Sequence, residues 1–451
     1  MTRHVNTDPR FGEGPAAARL DSVVSECGTG ARAARRNVRR RAPGGAILGL
    51  SLALLAGLAG CENLLEVELP GSVQESDLDN PALATTLVNS ALGQFECAYS
   101  SYVASAGILA NEYINASSWL NINGWGWRGI ELYTIIGSCP ENRDATGLGA
   151  YAPLQQARFM AEDAARRISE FPDELVPDKA EKLGLLMAYA GYAYVLLGEG
   201  FCEMAIDNGP LMTPQEVLAI AEERFTAAME YASAAGNTEL ELLAIAGRAR
   251  TRLDLGDLEG AATDAARIPE GFVWNAEYST INGRRENRIY NLNRRNRYLS
   301  VNPVDYAGLE LGGEPDPRVP VIASGLVGHD GVTLHYYQDK YPTADSPIPM
   351  ASWEEAQLII AEARPSEAED AINRLRAHQG LPPYTPSGDL LADILEERRR
   401  QLFSEGHRLN DMLRHGLPFP TGVNHKGQAY GPITCMPLPE QEKRSNPNIG
   451  G

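Results

Sequence analysis

The sequence lacks the short motifs that commonly mark an enzyme active site. His-Glu-x-x-His, Gly-x-Ser-x-Gly and the phosphate-binding loop are all absent. Gly124, Gly126 and Gly129 fit Gly-x-Gly-x-x-Gly, but no buried strand precedes them and two tryptophans would crowd a pyrophosphate. His407 and His415 could share a helix face, yet no acidic cluster accompanies them in the sequence. We therefore predict no catalytic residue, no metal site and no cofactor.

Basic residues are few relative to acidic ones. Of 40 lysines and arginines and 59 aspartates and glutamates, nine arginines and four acidic residues lie within the first 60 residues. The rest of the chain therefore holds 31 basic and 55 acidic residues, a net charge of −24. Such a surface repels phosphate backbones and anionic lipid headgroups, because both bind proteins through lysine and arginine. Nucleic acid is accordingly excluded as a favoured partner.

Long apolar runs are also scarce, and the clearest one, residues 46–59, is too short to span a bilayer stably. Five arginines precede it within residues 35–41, and Leu-Ala-Gly-Cys ends it at residues 58–61. This pattern predicts an export signal with a lipobox, in which Cys61 receives the lipid. A plain secretory signal followed by an incidental cysteine is the alternative. We assign residues 1–60 to an N-terminal extension and signal peptide, and residues 61–451 to a single binding domain.

Cysteines are few as well, and export to an oxidising compartment would favour disulfide bonds between them. Once Cys27 in the presequence and Cys61 at the lipidation site are set aside, four remain, and no two of them have the Cys-x-x-Cys spacing of a zinc site. Four cysteines in an oxidising compartment predict two disulfides with three possible connectivities. Four separately buried thiols are the alternative. Our working pairing is Cys97 with Cys139 and Cys202 with Cys435.

Apolar residues at three-to-four spacing predict a mainly helical scaffold. Gly191, Gly198, Ala249 and the Gly-Asp step at residues 256–257 are typical of tetratricopeptide-like helix pairs, in which small residues let two helices approach closely. Such pairs are predicted near residues 151–268 and 351–378. The predicted helices are Pro81–Gln94, Tyr151–Glu170, Ala180–Leu197, Pro214–Ser233, Glu239–Leu253, Asp257–Arg267, Trp353–Ala363 and Ser366–His378.

Two segments between the helices, residues 115–133 and 272–349, are rich in Asn, Gly, Arg and aromatic residues. They predict loops and small hairpins on a ligand-binding face. Three of the five tryptophans lie within residues 119–127, where flat faces beside amide and guanidinium donors suit sugar rings or peptide side chains. Burial in a small loop core is the alternative for each tryptophan. The candidate ligand-binding residues are Trp119, Asn121, Asn123, Trp125, Trp127, Arg128, Trp274 and Tyr278.

Several segments resemble the SusD/RagB family of nutrient-uptake lipoproteins. Residues 61–73, beginning Cys-Glu-Asn-Leu-Leu, are similar to the family's mature start, and residues 314–318 to its Asp-Pro-Arg step. Residues 353–363 resemble its helix ending in Ala-Glu-Ala, and residues 436–448 its Pro-x-Pro and Asn-Pro-Asn ending. Residues 396–414, rich in Glu and Arg around Glu-Gly-His-Arg, give the most specific match.

The resemblance implies an all-α, SusD-like scaffold of tetratricopeptide-like helix pairs that carries irregular loops and small hairpins. It also implies a non-catalytic lipoprotein, held on the outer membrane through Cys61, that captures oligosaccharides or peptides and delivers them to a TonB-dependent, SusC-like barrel. Two alternatives stay open. A tetratricopeptide adaptor for envelope assembly would present a concave helical groove without aromatic loops. A secreted glycan hydrolase would place two carboxylates across a cleft.

Overall fold

The computed structural model describes residues 75–449, so Cys61 and the predicted signal peptide lie outside the described residues. Within this range the chain is mainly helical with only short strands, which confirms the predicted fold class. A π-helical segment, Tyr290–Arg295, interrupts the second loop-rich region. The α-helices are α1 (Ala84–Leu109), α2 (Leu120–Gly126), α3 (Tyr151–Glu170), α4 (Lys179–Gly200), α5 (Pro214–Ala235), α6 (Thr238–Leu255), α7 (Leu258–Ala265), α8 (Pro303–Tyr306), α9 (Trp353–Ala363), α10 (Ala368–His378), α11 (Leu390–Gln401), α12 (Arg408–Arg414) and α13 (Glu440–Ser445).

The strands pair in antiparallel twos and build no larger sheet in residues 75–449. The pairs are β1 (Tyr113–Asn115) with β5 (Leu299–Val301), β2 (Met204–Ala205) with β3 (Leu211–Met212), β4 (Val273–Ala276) with β10 (Ile348–Ser352), β6 (Glu310–Leu311) with β7 (Glu314–Pro315), and β8 (Val321–Val327) with β9 (Leu334–Gln338). The β1–β5 pair ties the first loop-rich segment to the second, although they are almost 190 residues apart in sequence. Both predicted parts of the ligand face are therefore joined by main-chain hydrogen bonds.

The helix pairs form where the small residues predict them. Phe225 of α5 fills the space left by two glycines, because a Cβ on Gly191 of α4 or Gly247 of α6 would lie within 2.8 Å or 2.3 Å of its ring. The turn from α6 to α7 uses Gly256 at φ 84°, and the side chain of Asp257 then caps α7 by accepting from the amide of Gly260. These close approaches are what the tetratricopeptide-like spacing requires.

Helix α1 is longer than predicted and runs through the centre of the domain. The prediction ended it at Gln94, whereas the helix continues to Leu109 and residues 94–110 are buried on every side. A helix buried all round has no polar face, so the three-to-four pattern that reveals an amphipathic helix is missing from its second half. Neither α1 nor any other helix within residues 75–449 is long and apolar enough to cross a bilayer.

Two disulfides fasten the outer segments to this core, and the working pairing is confirmed. Cys97 of α1 is bonded to Cys139, and Cys202 after α4 is bonded to Cys435. The second bond closes a separation of 233 residues, and the adjacent Met436 exchanges main-chain hydrogen bonds with Gly200 and Cys202. The C-terminal segment is thereby held against the start of the helix pairs.

Candidate ligand-binding site

Trp119 is the most exposed aromatic residue of the predicted tryptophan cluster. It precedes α2, and its side chain is 48% exposed. Its ring stacks on the imidazole of His329 with centroids 5.8 Å apart and planes 13° from parallel. Tyr298 also contacts this imidazole, edge-on with centroids 5.0 Å apart. A flat, half-open ring supported from behind is the geometry that stacking on a sugar requires.

The residues next to this stack in sequence, Ser118 and Asp330, line a cavity of about 720 Å³, cavity A. Its walls come from four separate parts of the chain: β1 and the segment after it, Pro303 of α8, the turn into β9 with the start of β9, and a loop near the C terminus. Val332 and Leu334, which are exposed, form an apolar edge of the cavity. The polar and charged lining residues are Ser117, Ser118, Asn123, Asp330, Thr333, Tyr336, His425, Lys426 and Gln428.

The charges that line cavity A neutralise one another. Lys426 lies 2.6 Å from the carboxylate of Asp330 and also donates to the carbonyl of Ser117 at 2.9 Å. Burial opposes ionisation of Asp330, but hydrogen bonds from Lys426 and Thr333 outweigh it and hold the pKa of Asp330 well below its usual range. The pair is therefore ionised at neutral pH and contributes no net charge to the cavity.

His425 adds a neutral hydrogen-bonding group. Burial lowers the pKa of His425 even though a hydrogen bond to the main chain acts in the opposite direction. Its Nε2 lies 2.8 Å from the carbonyl oxygen of Asn115, which can only accept, so Nε2 carries the proton. The other ring nitrogen, Nδ1, is then an acceptor. A neutral imidazole of this kind suits a hydroxyl group better than a charged one.

A second cavity of about 490 Å³, cavity B, adjoins the first and shares Asn123 and Gln428 with it. Trp127 and exposed Leu120 supply its apolar wall. The amide of Asn123 is positioned by Asn115, whose Nδ2 donates to Asn123 Oδ1 at 3.0 Å. The two cavities and the Trp119–His329 stack are together called the loop site below.

A sequence profile of the SusD family matches residues 355–449. No curated protein sequence matches the chain. Among solved structures, a SusD-like carbohydrate-binding protein from Bacteroides vulgatus has a TM-score of 0.60 at 14% identity, covering 82% of this chain and 97% of its own. A laminarin-binding SusD-like protein gives 0.59 at 16% identity, with 81% and 98% covered. A SusD-like protein from Bacteroides fragilis gives 0.58 at 15% identity, with 84% and 98% covered.

The C-terminal region of this chain is similar in sequence to the SusD family, and the chain has a SusD-like fold. Sequence identity of 14–16% to the solved structures shows the common fold and assigns no ligand.

The histidine of the Glu-Gly-His-Arg motif, His407, lies in a buried network of charged side chains. Arg250 of α6 donates to both carboxylate oxygens of Glu199 at 2.6 Å, and His407 lies 3.4 Å from the same guanidinium. Burial lowers the pKa of His407 far below 6.5, and the nearby charge of Arg250 adds to the effect. A neutral, enclosed histidine among arginines fits the structural role that the family resemblance implies for this residue.

The Asp-Pro-Arg step of the SusD-like sequence has a similar explanation. Arg318 donates to Asp316 in the same step and to Glu397 of α11 at 2.7 Å, and Arg376 of α10 reaches the other oxygen of Glu397 at 2.5 Å. Arg400 adds a contact to Asp316 at 3.0 Å. The motif thus fastens the hairpin region to the last helix pair of the scaffold.

Three of the predicted ligand-binding residues do not fit that role. Trp125 is fully buried in the main core, because α2 turns it inward while Trp119 faces out. Trp274 donates its indole N–H to Tyr189 at 3.3 Å, and the hydroxyl of buried Tyr278 donates to the carbonyl of Glu96 at 3.0 Å. These contacts lie along α1 and α4, and none of the three residues lines cavity A or cavity B.

Arg128 was predicted to bind the ligand, but its side chain contacts the C-terminal loop instead. Its backbone adopts φ 57°, and its guanidinium lies between the rings of Phe419 and Tyr430 at 5.4 Å and 5.1 Å. It also donates to the carbonyl of Pro420. Arg128 therefore holds the C-terminal loop that brings His425, Lys426 and Gln428 into the loop site.

Asn121, Arg284 and Arg285 also form hydrogen bonds or ion pairs within the protein. Asn121 donates to the hydroxyl of Thr146 at 3.0 Å, which fixes the loop behind Trp119. Arg284 donates to Gln94, and Arg285 pairs with Glu96 at 2.5 Å. Neither arginine supplies a free positive patch for an anionic ligand.

Proposed function

We propose that this chain is a non-catalytic surface lipoprotein that captures uncharged oligosaccharides at the loop site and delivers them to a TonB-dependent outer-membrane barrel. The observation that carries the proposal is the half-exposed ring of Trp119, stacked on His329 beside two adjoining cavities. Stacking supplies the apolar contact, and the amides of Asn123 and Gln428 supply directional hydrogen bonds.

Charge favours a neutral ligand over an anionic one. The only ion pair that lines cavity A, Asp330 with Lys426, is already satisfied, and His425 is neutral. A net charge of −24 on the chain after residue 60 would further repel a polyanion. A laminarin-binding protein and a carbohydrate-binding protein among the similar structures support an oligosaccharide rather than a peptide at this site.

Binding without hydrolysis is supported by the same lining. Glycoside hydrolysis needs two carboxyl groups about 5–10 Å apart on either side of the scissile bond. Two carboxylates line the loop site, Asp330 in cavity A and Glu131 in cavity B, and Lys426 and Thr333 occupy the oxygens of Asp330. An ionised, fully bonded carboxylate is a poor general acid.

Replacing Trp119 with alanine should weaken binding of a neutral oligosaccharide about tenfold or more while leaving the melting temperature nearly unchanged. Ring stacking contributes about 0.5–1.5 kcal/mol beyond the buried area, and a 48% exposed side chain contributes little to the core. Calorimetric titration with laminarin oligosaccharides and other neutral glycans measures this. Tyr133→Ala is the matched control, since Tyr133 is 59% exposed and takes no part in the Trp119–His329 stack. Equal binding by both variants would remove Trp119 from the site.

Delivery to a barrel predicts a stable complex. The family resemblance and the proposed role of this chain as a binding protein both require a transport partner. We expect gentle detergent extraction and affinity purification to recover a TonB-dependent barrel, held through an interface beyond the ~1,600 Å² of a standard complex. Isolation of the lipoprotein alone, under conditions that keep other envelope complexes intact, would contradict delivery.

Cys61→Ala should release the protein from the membrane. The lipobox at residues 58–61 predicts attachment through this one cysteine, with each buried methylene of the lipid contributing about 0.8 kcal/mol. Fractionation in high salt measures the effect, because salt removes electrostatic attachment but leaves a lipid anchor in place. A variant that still sediments with membranes would show that another contact holds it there.

A further inference from the structure

A third cavity of about 620 Å³, cavity C, is lined in part by α8. Pro303 lines cavity A, whereas the next residue, Val304, lines cavity C and is 88% exposed. The floor of cavity C holds two arginines, Arg399 and Arg408. Nothing in the proposed function uses this cavity.

The two arginines differ in how they are bonded. Arg399 donates to both carboxylate oxygens of Glu396 at 2.7 Å, donates to the carbonyl of Asp305, and lies over the ring of Tyr306. The side chain of Arg408 has no hydrogen-bond or ion-pair partner among residues 75–449. Of the other arginines in that range, Arg297 alone shares this condition, and it lines none of the three cavities.

An arginine without a protein acceptor at a cavity wall can bind an anionic group of a ligand. Its planar guanidinium presents paired N–H donors that match the two oxygens of a carboxylate. The one acidic residue of the cavity, Asp305, accepts from the amides of Asn111 and Asn302 at 3.2 Å and 2.7 Å and lies beyond 4.0 Å from Arg408. The charge of Arg408 is therefore available to a ligand.

The rest of cavity C has an apolar side. That side is built from Leu309, Met412, Pro418, Phe419 and Pro420, whereas Asn111, Tyr306 and Thr421 add polar groups elsewhere on the wall. An apolar side can hold an apolar side chain while Arg408 binds a carboxylate next to it.

We propose that cavity C binds the C-terminal carboxylate of a peptide whose last side chain is apolar, with Arg408 as the carboxylate-binding residue. The site goes beyond the proposed capture of oligosaccharides and does not depend on it. Its ligand enters a different cavity and is recognised by a positive charge, whereas the charges that line cavity A cancel.

Titration calorimetry with acetyl-Ala-Ala-Leu tests the proposal, using the free acid and the C-terminal amide in low salt at pH 7. We expect the acid to bind about tenfold or more tightly than the amide, because a charged hydrogen bond is lost in the amide. Arg408→Gln should reduce acid binding to the level of the amide, and Arg408→Lys should retain part of it. Arg444→Gln, at an exposed arginine of α13, is the matched control and should change nothing.

Arg408 also acts on a buried neighbour, so its variants need a second test. Burial raises the pKa of Glu112 to about 7, and the charge of Arg408 opposes that rise. Val304→Trp fills cavity C from its exposed rim without altering either residue, and should weaken acid binding while the melting temperature stays the same. Trp119→Ala should leave acid binding unchanged, which separates this site from the loop site.

Three results would overturn the proposal: equal binding of acid and amide, undiminished acid binding by a folded Arg408→Gln variant, or no binding of the free acid up to about 10 mM. Loss of oligosaccharide binding with retained acid binding would count against the proposed function alone.

Discussion

Trp125→Ala should lower the free energy of unfolding by about 3–5 kcal/mol, the range expected when a large aromatic side chain is removed from a packed core. The indole of Trp125 is fully buried in the main hydrophobic core, so its removal leaves a cavity that the surrounding backbone can fill only in part. Denaturant unfolding, followed by circular dichroism, measures the change.

Trp119→Ala is the matched control, since it removes the same side chain six residues earlier from a half-exposed position. Its unfolding free energy should stay within about 0.5 kcal/mol of the native value, as for most surface changes. The two variants thus separate stability from binding. A small loss for Trp125→Ala would mean that its ring is open to solvent in solution, and would return it to the candidate ligand residues.

Arg250→Met should also destabilise the fold by about 3–5 kcal/mol, because it leaves buried carboxylates without their cation. Arg250 holds Glu199 through two hydrogen bonds of 2.6 Å and lies 3.8 Å from Glu355. Adding Glu199→Leu to Arg250→Met should restore part of the loss, since a buried ion pair and an apolar pair of similar volume are often close in stability.

Arg267→Met is the control for this ion pair. Arg267 pairs with Glu241 at 2.7 Å, but its side chain is 45% exposed, so the pair should contribute less than about 1 kcal/mol. Equal losses for the two arginines, measured by denaturant unfolding, would show that the network around Arg250 is open to water. Full loss in the double variant as well would show that Arg250 stabilises the fold through contacts other than Glu199.

The helical scaffold was largely predictable because most of its helices have one polar face. Tyr151–Glu170 and Trp353–Ala363 begin and end where their apolar spacing predicts. Helix α1 was predicted too short because its second half is enclosed by other elements, which removes the periodic signal. The π-helix at Tyr290–Arg295 was not predicted, since no local pattern distinguishes it from an irregular loop.

The candidate site was predictable only in part. A cluster of tryptophans indicated the right segment, but sequence alone does not tell which ring α2 turns outward, and Trp119 and Trp125 differ in burial for that reason. His329 and His425 reach the site from about 200 and 300 residues away, so no local spacing could have placed them there. The arginine next to the tryptophans, Arg128, looked like a ligand donor because its contact partners, Phe419 and Tyr430, are equally distant in sequence.

The most direct test of oligosaccharide capture is the crystal structure of the protein bound to a neutral glycan that binds in calorimetry. We predict a sugar ring lying flat on Trp119 at a contact distance of about 4 Å, with hydroxyl groups bonded to Asn123 or Gln428. A glycan bound elsewhere, with the ring of Trp119 uncovered and cavities A and B empty, would contradict the account.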